Sequence, residues 1–109
     1  MTDLGGDNAA MDNISFVAAS ATNEHLIGAN SRRLGLYLQN TSAGILVVKF
    51  GLVASLTSMS VLIPGGAYYE FPDPVYVNAI DGLWLVTGTV FTGFTGIAEG
   101  AFLTEEVTY

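Results

Sequence analysis

Leu34-Gly35-Leu36-Tyr37-Leu38-Gln39, followed after Asn40-Thr41-Ser42-Ala43-Gly44 by Ile45-Leu46-Val47-Val48-Lys49-Phe50, decides the fold class of this chain. In the first run every second residue is a leucine, the two-residue period of a strand with one buried face. Leu34, Leu36 and Leu38 are expected on that face, with Arg33, Tyr37 and Gln39 on the other. The second run is β-branched and almost continuously apolar, as suits a strand buried on both faces. The Asn-Thr-Ser-Ala-Gly between them is turn chemistry, so the two runs are expected to form a hairpin.

The same reading extends outward in both directions. Met59, Val61 and Ile63 alternate up to Pro64-Gly65-Gly66, a strong turn signal, and Ala67 to Phe71 follows as a short strand stopped by Pro72-Asp73-Pro74. Val75 to Ile80 reads as a strand joined through a two-residue Asp81-Gly82 turn to Leu83-Trp84-Leu85-Val86-Thr87. Gly88 to Tyr109 holds one or two more strands. Upstream, Asn23 to Arg33 reads as a connecting segment, and Ile14 to Val17 as a first strand or the last docked piece of an arm. That arm, residues 1–13, is polar, glycine-containing and acidic, and it precedes a single domain over residues 14–109. No segment has the caps and apolar stripe of a helix. Seven or eight short antiparallel strands point to an all-β fold, a small β-sandwich or jelly roll.

Composition narrows the function. Of 109 residues 50% are hydrophobic and only 12% charged, about half the usual share of roughly 25%, so too few charges exist to cover the outside of a small domain. Apolar surface of that kind is normally covered by neighbours. Ten acids stand against three basic residues, Arg32, Arg33 and Lys49, for a net charge of −7, which argues against nucleic acid as a partner. Phe50 to Tyr69 has no charge, but its serines and threonine and the Pro-Gly-Gly make it a poor membrane span, and no secretory signal opens the chain. There is no cysteine, hence no disulfide and no thiolate chemistry.

Catalytic stock is small. His25 is the lone histidine and reads as a loop residue; the acids Asp73, Asp81, Glu99, Glu105 and Glu106 are scattered, and Asp81 has a sufficient role in its turn. No enzyme, cofactor or metal is expected, and the EF-hand pattern is absent. Asn40-Thr41-Ser42 matches a glycosylation sequon and reads as a turn. Arg32-Arg33 reads as a salt-bridge or interface element. Tyr68, Tyr69, Tyr76 and Trp84 could form a sugar-stacking platform, although aromatics in strands more often serve cores and subunit contacts.

The order Arg33 to Ser42, Ile45 to Gly51, Ile63 to Glu70 and Val75 to Ile80 resembles a small β-sandwich module common in virion proteins of tailed bacteriophages. In that family a strand ending Gln-Asn-Thr/Ser leads to a second strand ending Phe-Gly. A Pro-Gly-Gly-like turn and a Val-Tyr-x-x-Ala-Ile segment follow. The resemblance covers roughly Arg33 to Ile80 and is architectural, so no residue roles come with it. It implies a structural particle component on the capsid exterior: a head decoration or cement protein, a head-fibre base, or a neck or tail accessory protein. The expected partners are the major capsid protein and further copies of the chain, a trimer among the options. The residues expected to touch partners are Asp3, Asp7, Ile14, Phe16, Arg32, Arg33, Tyr68 and Tyr69. The alternative is a carbohydrate-binding module of a fibre or tail.

Overall fold

The computed structural model describes residues 10–94 and 96–108. Among the described residues eight strands are formed: β1 Ala10–Ala18, β2 Glu24–Ile27, β3 Arg33–Asn40, β4 Leu46–Phe50, β5 Val61–Ile63, β6 Tyr68–Glu70, β7 Ile80–Trp84 and β8 Gly100–Thr108. The helical content among the described residues is one 3-10 turn, Thr92–Phe94. The strands make two four-stranded sheets, sheet I in the order β1-β8-β3-β6 and sheet II in the order β2-β7-β4-β5, with every named pairing antiparallel. Successive strands cross between the layers everywhere except from β4 to β5. That strand order is the jelly roll, and the expected all-β sandwich is the fold found.

The layers face each other through one core. Leu36, Leu38, Ala101 and Leu103 from sheet I meet Leu26, Leu46, Val48, Ile63, Ile80 and Trp84 from sheet II, all buried. The expected hairpin of β3 with β4 is overturned, because the two strands lie in opposite sheets. Each carries an inward apolar row, and each row is buried by the other layer. Asn40 makes the corner between them. Its side-chain amide donates to the carbonyls of Gly44 (3.0 Å), Ile63 (3.2 Å) and Pro64 (3.1 Å), while its oxygen accepts from Ser42 N and Trp84 Nε1, both at 3.1 Å. A buried amide satisfied on both ends ties β3, β5 and β7 at one point. The sequon asparagine is thus a fully buried staple.

Three further expectations fail. Asp81-Gly82 lies inside β7 and is no turn, and Val75 to Ala79 is irregular chain leading into that strand. Gly82 is there for close approach: a Cβ would stand 2.8 Å from Leu26 Cδ1 and 3.1 Å from Leu46 Cδ1. Glu24 to Ile27, in the segment read as a connection, is the edge strand β2. Leu34 does not share the face of Leu36 and Leu38, because a bulge between Arg33 and Gly35 shifts the register with β8. One extra residue reverses the alternation. Arg33 goes in and Leu34 comes out, at 3% and 49% exposure.

β4 is buried at Leu46, Val47 and Val48 in succession, as its continuous apolar run requires. The Leu46 and Val48 side chains belong to the core between the sheets, and Val47, together with Ala54 in the segment from Gly51 to Ser60, lies outside that cluster. The charge-free stretch Phe50 to Tyr69 is therefore strand end, loop, β5, turn and β6. No helix among the described residues is long and apolar enough to cross a membrane.

Candidate functional site

Residues paired across antiparallel strands share a face, so the outer face of sheet I can be read from the register. One row runs Phe16, Phe102, Gln39, Tyr68; the next Ile14, Thr104, Tyr37, Glu70; the third Asp12, Glu106, Gly35. The alternate residues Ala101, Leu103, Glu105 and Val107 of β8 are buried under them. The face is therefore an apolar and aromatic field with an acidic fringe. Phe16 and Phe102 pack with ring centroids 4.7 Å apart, and Tyr37 and Tyr68 lie nearly parallel at 6.3 Å. Ile14 is 73% and Tyr68 59% exposed.

At the acidic end Tyr37, Glu70, Pro72, Asp73, Glu106 and Gly35 line a shallow cavity of about 530 Å³. Tyr37 Oη donates to Glu106 Oε1 at 3.4 Å. The negative charge of Glu106 is the chief cause that holds the Tyr37 hydroxyl above its ordinary 10.0, with burial and then the charge of Glu70 acting the same way. None of the strand residues on this face is basic.

The expected contact residues are dispersed. Ile14, Phe16 and Tyr68 are on this face, whereas Tyr69 is half-buried and packs edge-on against Phe71 at 4.9 Å. Arg32 is exposed in the loop before β3. Asp3 and Asp7, with the arm up to Ala9, lie outside the described residues, and Asp12 and Asn13 of the expected arm are strand residues of β1. Arg33 is interior. Its Nε donates to Glu105 Oε2 at 2.7 Å, and its Nη atoms donate to the carbonyls of Tyr76 (2.6 Å), Asn78 (3.3 Å) and Gly28 (2.6 Å). The four aromatics proposed as one platform do not share a surface: Trp84 is fully buried, and Tyr76 stacks on Phe50 at 5.3 Å against the core. Tyr37, Phe102 and Glu106 belong to the face and were missed. The residues from Ala101 to Val107 do not alternate in polarity, since Ala101-Phe102-Leu103 is an apolar run and Thr104-Glu105-Glu106 a polar one; only the burial of β8 alternates.

His25 is on β2 rather than in a loop. Its Nδ1 donates to Asp81 Oδ1 at 2.6 Å, and Asp81 Oδ2 accepts from Asn23 Nδ2 at 2.9 Å. Asn23 Oδ1 in turn accepts from Ala54 N at 2.9 Å. The buried carboxylate thus links β2 and β7 to the segment after β4. Among the described residues no group of three histidines and acids could hold a metal ion.

Apolar side chains are also exposed elsewhere. Leu52, Val53, Leu56 and Leu62 protrude around the β4–β5 loop. At the other end Ile45, Leu85 and Val86 line a second cleft of about 420 Å³ with Ala43, Thr87 and Thr89. Comparison with protein-family models, curated proteins and solved structures finds no match.

Proposed function

We propose that this chain is a structural virion protein of a tailed bacteriophage that binds the capsid exterior and reinforces contacts between capsomers. The observation that carries the reading is the outer face of sheet I, an apolar and aromatic field around Ile14, Phe16, Phe102 and Tyr68 with acids at one margin. The strand-and-turn resemblance between Arg33 and Ile80 and the jelly-roll order support it, although this fold serves several unrelated functions and by itself selects none. At about 25 cal/mol per Å² of apolar area, a few hundred Å² covered per contact supplies several kcal/mol before association costs. Repetition over a lattice then raises avidity.

The test is addition of the purified chain to undecorated heads of its phage. Binding with a rise in the heat resistance of the heads is expected, and Ile14→Asp with Tyr68→Asp should abolish both. Failure to bind, or equal binding by the double variant, overturns the reading. A second reading, recognition of glycans on a fibre or tail, draws on the exposed, nearly parallel Tyr37 and Tyr68 rings. Glycan-array binding lost in Tyr68→Ala would establish it in place of the first.

A further inference from the structure

The four edges of the sandwich are not alike. Sheet I ends in β1 and β6, and sheet II in β2 and β5. β5 and β6 have three residues each and β2 has four, and such short edges offer an incoming strand few groups to pair with. β1 has nine residues and keeps an unbroken register with β8 from Ala10↔Thr108 to Ala18↔Gly100, with no bulge to twist it away. It contains no proline, lysine or arginine, the other devices that protect an edge. Among the described residues its outer edge has no strand beside it, and it presents backbone groups over roughly 30 Å. Furthermore, Asp12 to Phe16 are exposed one after another. In a strand covered on one side every second residue would be buried, so Asn13 and Ser15, on the side facing sheet II, have no layer beneath them.

We propose that β1 pairs antiparallel with β1 of a second copy of this chain across a two-fold axis beside Ser15, joining two four-stranded sheets into one of eight. The strand is self-complementary in this register. Ser15 opposes the partner's Ser15; Phe16 opposes the partner's Ile14 and Ile14 the partner's Phe16, placing four apolar side chains together on the outer face. Asp12, the one charge in β1, opposes the partner's Ala18 and meets no like charge. The row Tyr68, Gln39, Phe102, Phe16 then continues over the seam. Face-to-face stacking through sheet I would instead cover the carboxylates of Asp12, Glu70 and Glu106, and none of the described strand residues on that face is a cation that could offset them. The edge pairing is isologous and closes at two subunits, so it does not propagate into a fibre. It stands independently of any capsid.

Sedimentation equilibrium of the full chain should show a dimer, and Ile14→Lys should weaken it by at least about tenfold. Because the chain has no cysteine, Ser15→Cys introduces a single thiol directly opposite its mate. Opposed residues in antiparallel strands lie about 4.5–5.5 Å apart at Cα, within the roughly 4.4–6.8 Å that a disulfide spans. Under mild oxidation Ser15→Cys should form covalent dimer at least about tenfold faster than Thr87→Cys, an exposed control in the β7–β8 loop. Asn13→Cys, which opposes the partner's Val17, should match the control. A monomer at every attainable concentration, a Ser15→Cys rate equal to the control, or faster crosslinking at Asn13 than at Ser15 overturns the proposal.

Discussion

Removing the Glu105 carboxylate should cost this protein far more than an ordinary ion pair is worth. The Arg33 side chain is fully buried and that of Glu105 is 10% exposed, at a separation of 2.7 Å. Glu105→Gln leaves the guanidinium charged inside the sandwich with only neutral acceptors, the amide oxygen at position 105 and the carbonyls of Gly28, Tyr76 and Asn78. Breaking a buried pair from one side costs about 3–5 kcal/mol, and the slight exposure of Glu105 places the expectation at the lower end, about 3 kcal/mol. Arg33→Met should cost about 4 kcal/mol, since it strands both the carboxylate and three carbonyls that fasten the loops after β2 and β6 to the bulge. Against a total of about 5–15 kcal/mol these are large fractions, and for a domain of this size they lower Tm by roughly 15 °C or more. The assay is urea unfolding followed by the fluorescence of Trp84, with Arg33→Met/Glu105→Gln closing a double-mutant cycle. A cost below about 1 kcal/mol for Glu105→Gln, the range of exposed pairs, would refute the reasoning.

Other outcomes follow from single contacts. Asn40→Ala removes every side-chain bond of the corner staple and should destabilise by about 3 kcal/mol in the same urea assay, whereas Thr87→Ala, at an exposed loop position, should change little. Gly82→Ala drives a Cβ into Leu26 and should cost about 1–3 kcal/mol; the penalty should shrink in a Leu26→Val background, since the crowding atom is that side chain's end. In a spectrophotometric titration Tyr37 should ionise above 10.0, and Glu106→Gln should bring it down. Because the folded chain keeps this proton longer than the unfolded chain, the associated stability is fully present below pH 10.0 and is lost as pH rises through the folded value.

Strands whose pattern is set by local burial were legible from the residues alone. Leu36 and Leu38, the unbroken Leu46-Val47-Val48 and the Pro-Gly-Gly before β6 all carry their conformation in a few adjacent positions. Pairing was not legible in the same way. Asp81-Gly82 has the composition of a hairpin turn, yet the glycine answers to Leu26 and Leu46, and the aspartate to His25 and Asn23, all distant in sequence. Leu34 fits the leucine alternation perfectly, and only the bulge opposite Glu106 turns it outward and carries Arg33 in to Glu105.

The same division holds for the candidate surface. Shortage of charge and surplus of apolar residues are properties of the chain as written, so an uncovered apolar surface and an all-β class could be derived before any coordinate. Which residues compose that surface depends on strands brought together from opposite ends of the chain: Phe16 meets Phe102, and Tyr37 meets Glu106, only because β8 lies between β1 and β3. Alternation says that a strand has two faces. Tertiary structure decides which face the opposite sheet covers, because that covering sheet is assembled from residues with which the strand shares no local pattern.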